Sequence, residues 1–232
     1  MATDGHSNAE IAVQSARAAS NGAASRLTAT GLACWRGSRL LFKELDFEVE
    51  AGQIVWVRGQ NGRGKTSLLR LAAGLSAPEQ GQILREGNFA RRVPDDAPRC
   101  VFIGHANALK EDLTVSEALG FLLHIHGRPC ELSAVHAALE RLGLHSRRNA
   151  MVRTLSQGQR RRVALARLAI ETDASLWILD EPFDALDADG VERVNGLMRE
   201  HVQRGGGVLL SSHLEPSIPM LPVSEIDLGR YC

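Results

Sequence analysis

Nine consecutive residues, Gly59-Gln60-Asn61-Gly62-Arg63-Gly64-Lys65-Thr66-Ser67, match the pattern G-x-x-x-x-G-K-[ST], which describes a backbone able to cradle phosphate. Gly59, Gly62 and Gly64 permit a path closed to residues with a Cβ, so successive amides can turn toward phosphate oxygens. A helix starting near Lys65 adds its positive dipole end. The Lys65 ammonium suits β- and γ-phosphates, and the Thr66 hydroxyl suits Mg2+. A second chemical pair, Asp180 and Glu181, closes the apolar run Leu176 to Leu179. Two carboxylates at the end of a buried parallel strand lie where ligands bind in open α/β sheets. Asp180 is expected to hold Mg2+, directly or through water, and Glu181 to orient and deprotonate an attacking water. The plain alternatives are a glycine turn with an incidental lysine and an acidic turn after a strand. The presence of both motifs in one chain argues against each.

Three further stretches could contribute. Leu155-Ser156-Gln157-Gly158-Gln159 opens a helix with Ser156 and Gln159 in capping-box register. Such an end offers free amides to an anion, although taken alone it is simply a helix start. The following Arg160, Arg161 and Arg162 read as a solvated face. His213 follows the apolar run Val208 to Leu210, at the edge expected to carry the other motifs. An imidazole there is a candidate γ-phosphate contact. Trp35 reads as a core or edge aromatic, or as a surface for a nucleotide base.

The elements that must position these residues are legible in outline. Gln53 to Val57 is a strand leading into the glycine loop, and Leu68, Leu69, Leu71 and Ala72 continue as a helix until Gly74. Leu27 to Val57 is strand-like, with a turn at Ala51-Gly52. Pro78 to Gly81 reads as a turn, Gln82 to Leu84 as a short strand, residues 87–99 as an exposed loop, and Cys100 to Ile103 as a buried strand followed by His105. Residues 115–126 and 132–142 have helical spacing with a break at Gly127-Arg128-Pro129. A helix is expected from about Gly190 to Arg204. Residues 1–26, rich in Ala, Ser, Asn and Gly, read as a disordered tail, with a frayed helix over Ala9 to Ala19 as the alternative; they lack the pattern of a secretory signal.

The composition sets limits. Lys plus Arg and Asp plus Glu number 27 each, so no basic excess points to nucleic acid. Cys34, Cys100, Cys130 and Cys232 lie far apart without a CxxC pair, which fits neither a zinc site nor a disulfide framework. No stretch has the length and apolarity of a membrane span, so work at a membrane would go through a partner.

In order and spacing, Gly59 to Thr66, Leu155 to Gln159, Leu176 to Glu181, Ala185 to Asp187 and His213 resemble the Walker A, signature, Walker B, D-loop and switch histidine of an ABC-type ATPase cassette. The resemblance spans about Leu27 to Leu228. It implies an α/β P-loop NTPase with a RecA-like core, an N-terminal antiparallel β subdomain and an α-helical subdomain. Residues 27–232 would form the nucleotide-binding domain, with a helical insertion at about 105–165. ATP and Mg2+ are the implied cofactors. Glu181, His213 and Lys65 would be catalytic, and Thr66 and Asp180 would bind metal. Nucleotide contacts would come from Gly59 through Ser67, Ser156, Gly158, Gln159, His105 and Trp35.

More narrowly, LSQGQRRRVALAR at 155–167, LWILDEPFDALD at 176–187, and Gly104-His105 leading into Leu109-Lys110 and Leu113-Thr114 are similar to the ATP-binding subunits of cytochrome c maturation transporters, the haem exporter ATPases. That resemblance implies a second copy of the chain in an ATP sandwich, an integral membrane permease with associated haem-handling proteins, and a peripheral place on the cytoplasmic face of the bacterial inner membrane. Three departures from the general cassette pattern stand out. His105 occupies the usual glutamine position of the Q-loop. The adenine-stacking aromatic falls at Arg36 by ungapped counting, with Trp35 one residue away. Gln157 replaces a usual signature glycine. The rival readings are an ATPase for a lipid, peptide or metal transporter, and a soluble ABC protein of ribosomes or DNA.

Overall fold

A computed structural model describes residues 25–87, 100–216, 218, 221 and 223–231. The expected N-terminal tail, apart from its last two residues, and the expected loop beyond Gly87 lie outside the described residues. Two sheets organise the chain. Strands β1 (Arg26–Arg36) and β2 (Arg39–Glu50) form an antiparallel hairpin, and β4 (Gln80–Glu86) adds to the other edge of β1, giving the order β2-β1-β4. β4 is longer than the sequence suggests, because β1 supplies pairing from Arg26 to Ala33. The second sheet is parallel: β3 (Ile54–Arg58), β5 (Cys100–Ile103), β6 (Leu176–Asp180), β7 (Gly207–Ser211) and β8 (Val223–Asp227), in the order β5-β6-β7-β3-β8.

Side-chain alternation along the parallel strands divides the interior in two. Leu176 and Ile178 of β6, Val55 and Val57 of β3, and Leu209 of β7 pack with the antiparallel sheet and with α1 (Lys65–Ala72). Trp177, Leu179, Ile54, Val208 and Leu210 pack on the other side. That second core includes α2 (Val115–Ile125), α3 (Leu132–Arg141), α4 (Gln157–Leu165) and α5 (Ala188–Gln203). Every residue of β6 and β7 is buried, as the apolar runs require of central parallel strands.

The helical insertion is delimited by local chemistry. Thr114 and Glu117 close a capping box at the start of α2. At its end, Gly127 sits at φ 62, the Gly127 amide donates to His124 O and the Arg128 amide to Leu123 O, a Schellman stop. Arg128 then donates through Nε and Nη2 to the buried Glu171 carboxylate (2.9 and 2.6 Å), tying the insertion to the core. Among the described residues, no helix is long and apolar enough to cross a membrane.

A histidine lies at the centre of the second core. His201 of α5 is 0% exposed and stacks on Trp177, with ring centroids 3.8 Å apart and planes 8° apart. Its Nε2 is 2.9 Å from Ser175 O, and a Cβ on Gly206 would overlap its ring. Burial pushes its pKa from 6.5 down to about 4, with Arg204 adding to the effect and the Ser175 and Gly207 backbone opposing it. The folded chain therefore keeps this ring neutral where the unfolded chain protonates it. The resulting stability is present above pH 6.5 and is lost as pH falls toward 4. Across that window the loss from this group approaches about 3 kcal/mol. Urea titrations at a series of pH values are expected to show a shallower dependence on pH for His201→Gln than for the parent, by up to roughly 1.4 kcal/mol per pH unit.

Candidate functional site

The parallel strands deliver their C-terminal ends to one edge, and the strand order places β7 between β6 and β3. From β3 the chain enters the glycine loop, with φ 150 at Gly59, 77 at Gly62 and 97 at Gly64, the last being the N-cap of α1. Gly64 is needed for a second reason: a Cβ there would lie 3.1 Å from Leu41 and 3.2 Å from Phe42, which seat the loop on β2. Lys65 is buried, donates to Gly59 O at 2.8 Å, and stands 3.4 Å from Glu181 Oε1.

Asp180 is 1% exposed, and both of its oxygens are taken. Oδ2 accepts from Thr66 Oγ1 at 2.9 Å, and Oδ1 from Ser211 Oγ at 2.7 Å. The Glu181 amide divides its donation between Ser211 Oγ (3.0 Å) and Ser211 O (3.2 Å). The Thr66 hydroxyl and the Asp180 carboxylate, adjacent and both oxygen donors, fit Mg2+, which takes few protein ligands and completes its shell with water and phosphate. No cluster of three or more His, Cys, Asp or Glu occurs among the described residues.

The remaining groups close around Glu181. The His213 amide donates to Glu181 Oε2 at 3.2 Å, and His213 Nε2 lies 3.4 Å from Oε1. Trp56 holds the approach to that histidine by donating from Nε1 to Ser212 O at 2.9 Å. Glu181 Oε1 is itself buried and makes no hydrogen bond, although the Lys65 and His213 nitrogens flank it at 3.4 Å. His105 is exposed, with Nδ1 3.5 Å from Asp184 Oδ2. A cavity of about 330 Å3 joins Arg36, Asn61, Lys65, His105, Asp184 and His213.

One sequence reading needs correction, and the choice between Trp35 and Arg36 stays open. Trp35 does not line this cavity; it faces a neighbouring depression with Cys34, Arg70 and Glu79. Arg36, the next residue of the strand, lines both this cavity and that depression. Nor are the three arginines of α4 a solvated face. Arg160 pairs with Glu111 (2.9 Å), and Arg162 with Asp187 (3.0 Å). Arg161 is buried and donates to Gly104 O, Asn107 Oδ1, Asp180 O and Glu181 O, at 2.8, 3.2, 2.7 and 2.9 Å. Burial pulls its pKa down, while Asp184, Asp180 and Glu181 act to hold it up. Four carbonyl-type acceptors replace the water that a charge run would otherwise demand. A signal was available in the sequence, because Arg161 shares a helix face with Leu165 and Leu168 at i, i+4 and i+7.

The start of α4 is built as expected. Ser156 Oγ accepts from the Gln159 amide at 3.2 Å, and Gln159 Oε1 accepts from the Ser156 amide at 3.0 Å. Gly158 leaves no space for a side chain, since a Cβ would overlap the Ala185 carbonyl oxygen. Ser156, Gly158 and Gln159 do not line the phosphate cavity of their own chain.

The family described as ABC transporter matches residues 42–184, more than half of the 232-residue chain. The chain belongs to the ABC transporter family and is an ATP-hydrolysing cassette of it. It is 44% identical over 205 residues to the cytochrome c biogenesis ATP-binding export protein CcmA of Dechloromonas aromatica (strain RCB), covering 88% of this chain and 100% of that one. The protein of the same name from Pseudomonas putida (strain GB-1) is 45% identical over 206 residues, covering 88% and 97%. Within the larger family, then, the branch is that of the cytochrome c biogenesis ATP-binding export proteins. An ABC transporter ATP-binding protein from Pyrococcus furiosus has the same fold, with a TM-score of 0.73 at 24% identity over 89% of this chain and 99% of its own.

The Lys65 geometry sets a test. Replacing Lys65 with Ala removes the only ammonium lining the cavity among the described residues. ATP affinity, read by titration calorimetry with the full chain, is expected to fall by about a hundredfold or more, the equivalent of two charge-assisted hydrogen bonds.

Proposed function

We propose that this chain is the ATPase subunit of a transporter that couples nucleotide turnover to haem handling in c-type cytochrome biogenesis. The proposed assembly holds two copies head to tail against a CcmB-like integral membrane permease and associated haem-handling proteins. It works at the cytoplasmic face of the bacterial inner membrane. The site carries the chemical half of this reading, and the kinship with CcmA proteins carries the haem half. The observation that supports pairing is the one-sidedness of the cavity. The glycine loop, Asp180, Glu181 and His213 converge on it, while Ser156 and Gly158 present a capped helix end elsewhere. A second copy turned end for end would bring that anion-binding end to the γ-phosphate.

Each side chain then has a physical task. The loop amides and Lys65 hold the β- and γ-phosphates. Thr66 and Asp180 would hold Mg2+, which would supply neutralisation of the phosphate charge. The Glu181 carboxylate accepts a proton from a water positioned near Oε1. The water oxygen bonds to the γ-phosphorus as the bond to the bridging oxygen breaks, releasing ADP and phosphate. His213 donates to a γ-phosphate oxygen, and His105 borders the same space through Asp184. ATP thus joins the two copies and its hydrolysis parts them, a ligand-biased two-state switch.

The Glu181→Gln variant tests the chemistry. It is expected to bind ATP at least as tightly as the parent, lose about a hundredfold or more in turnover, and accumulate as an ATP-bound dimer in size-exclusion chromatography. Parental turnover in that variant would remove Glu181 as the base. Isolation of the complex from membranes, with identification of the bound integral protein and its haem content, tests the partner assignment. A complex with a permease free of haem-handling proteins would favour another cargo.

A further inference from the structure

The guanidinium of Arg161 bridges two segments distant in sequence. Nη1 donates to Gly104 O and Asn107 Oδ1, in the stretch that follows β5 and carries His105. Nη2 donates to Asp180 O and Glu181 O, where β6 ends. Glu181 holds φ 47, a left-handed conformation that a residue with a side chain keeps only where its surroundings over-determine it. Its amide is fixed by Ser211, and its carbonyl by Arg161 and by the Asp184 amide at 3.2 Å.

We propose that Arg161 is a positioning residue for hydrolysis: it fixes the backbone of Glu181 so that the carboxylate faces the attacking water, and it ties that aim to the His105 segment. The proposal rests on the reading of Glu181 as the base. Arg161 also lies one turn into α4 from Gly158, whose contact with Ala185 O leaves no slack. In the paired assembly, a shift of α4 on meeting the partner copy's nucleotide reaches the Glu181 carbonyl through this guanidinium. Only a planar fork spans both segments; a lysine ammonium, as a point donor, reaches one of them.

The test compares Arg161→Lys and Arg161→Gln with the parent and with Glu181→Gln, using the full chain. Circular dichroism melts establish that each variant is folded at the assay temperature. Fluorescent ATP binding and steady-state turnover are then measured together. Both Arg161 variants are expected to bind ATP within about threefold of the parent and to lose about tenfold or more in kcat, because a displaced catalytic group costs rate rather than ground-state affinity. A folded Arg161 variant with kcat within about twofold of the parent would overturn the proposal, as would equal losses in affinity and kcat. Silent Glu181→Gln beside active Arg161→Lys sinks the proposal alone, whereas active Glu181→Gln sinks the reading of the base along with it. If neither Arg161 variant folds, Asn107→Ala decides. Asn107 is absent from the lining of the phosphate cavity and reaches the chemistry through Arg161 Nη1. Its loss is expected to lower kcat by about threefold at unchanged ATP affinity, and an unchanged kcat refutes the link.

Discussion

The fold and the chemistry meet in one buried carboxylate. A carboxyl group withdrawn from water is tolerated only when its oxygens find donors. Asp180 finds two, the Thr66 hydroxyl at the start of α1 and the Ser211 hydroxyl at the end of β7. Those contacts fix the phosphate loop, the end of β6 and the end of β7 relative to one another. The strand order makes them possible: with β7 between β6 and β3, Ser211 is placed to serve Asp180 and the Glu181 amide together. The antiparallel sheet, α1 and the helical layer wrap the two faces of a sheet whose edge this carboxylate holds in register.

Around that clamp the backbone is used in conformations that cost stability. Glu181 and Ala185 both occupy left-handed φ, at 47 and 60, without being glycine. Each is held by neighbours on more than one side, Glu181 by Ser211 and Arg161, and the Ala185 segment by the packing of Gly158 and the Asp187 cap of α5. Such conformations persist where packing on both faces of the sheet can absorb their cost. Rigid β6 and β7, buried along their whole length, provide that support.

Much of this arrangement was legible in the sequence because it is local. The glycine spacing from Gly59 to Gly64, the apolar run closing on Asp180 and the S-x-x-Q register at Ser156 each dictate a conformation within a few residues, and each is found where its pattern predicts. What escaped depends on contacts distant in sequence. The three arginines of α4 looked solvated because a charge run has no visible partners along the chain, whereas the acceptors of Arg161 come from the segment after β5 and the end of β6. The side of β1 that meets the cavity could not be read either. A single residue separates Trp35 from Arg36, and which of them borders a cavity depends on how the strand end meets α1 and the glycine loop. The full length of β4 likewise belongs to its partner strand rather than to its own composition.

The Lys65 contact with Glu181 carries a consequence for energetics. An arriving triphosphate does not meet a bare cation: at 3.4 Å from Glu181 Oε1 and 2.8 Å from Gly59 O, the ammonium is already neutralised from within. Binding is then an exchange of counter-ions, and the Coulomb attraction of Lys65 for phosphate is reduced by what it surrenders. In the proposed site, a nucleotide that takes the lysine also frees the Glu181 carboxylate from its internal ion pair.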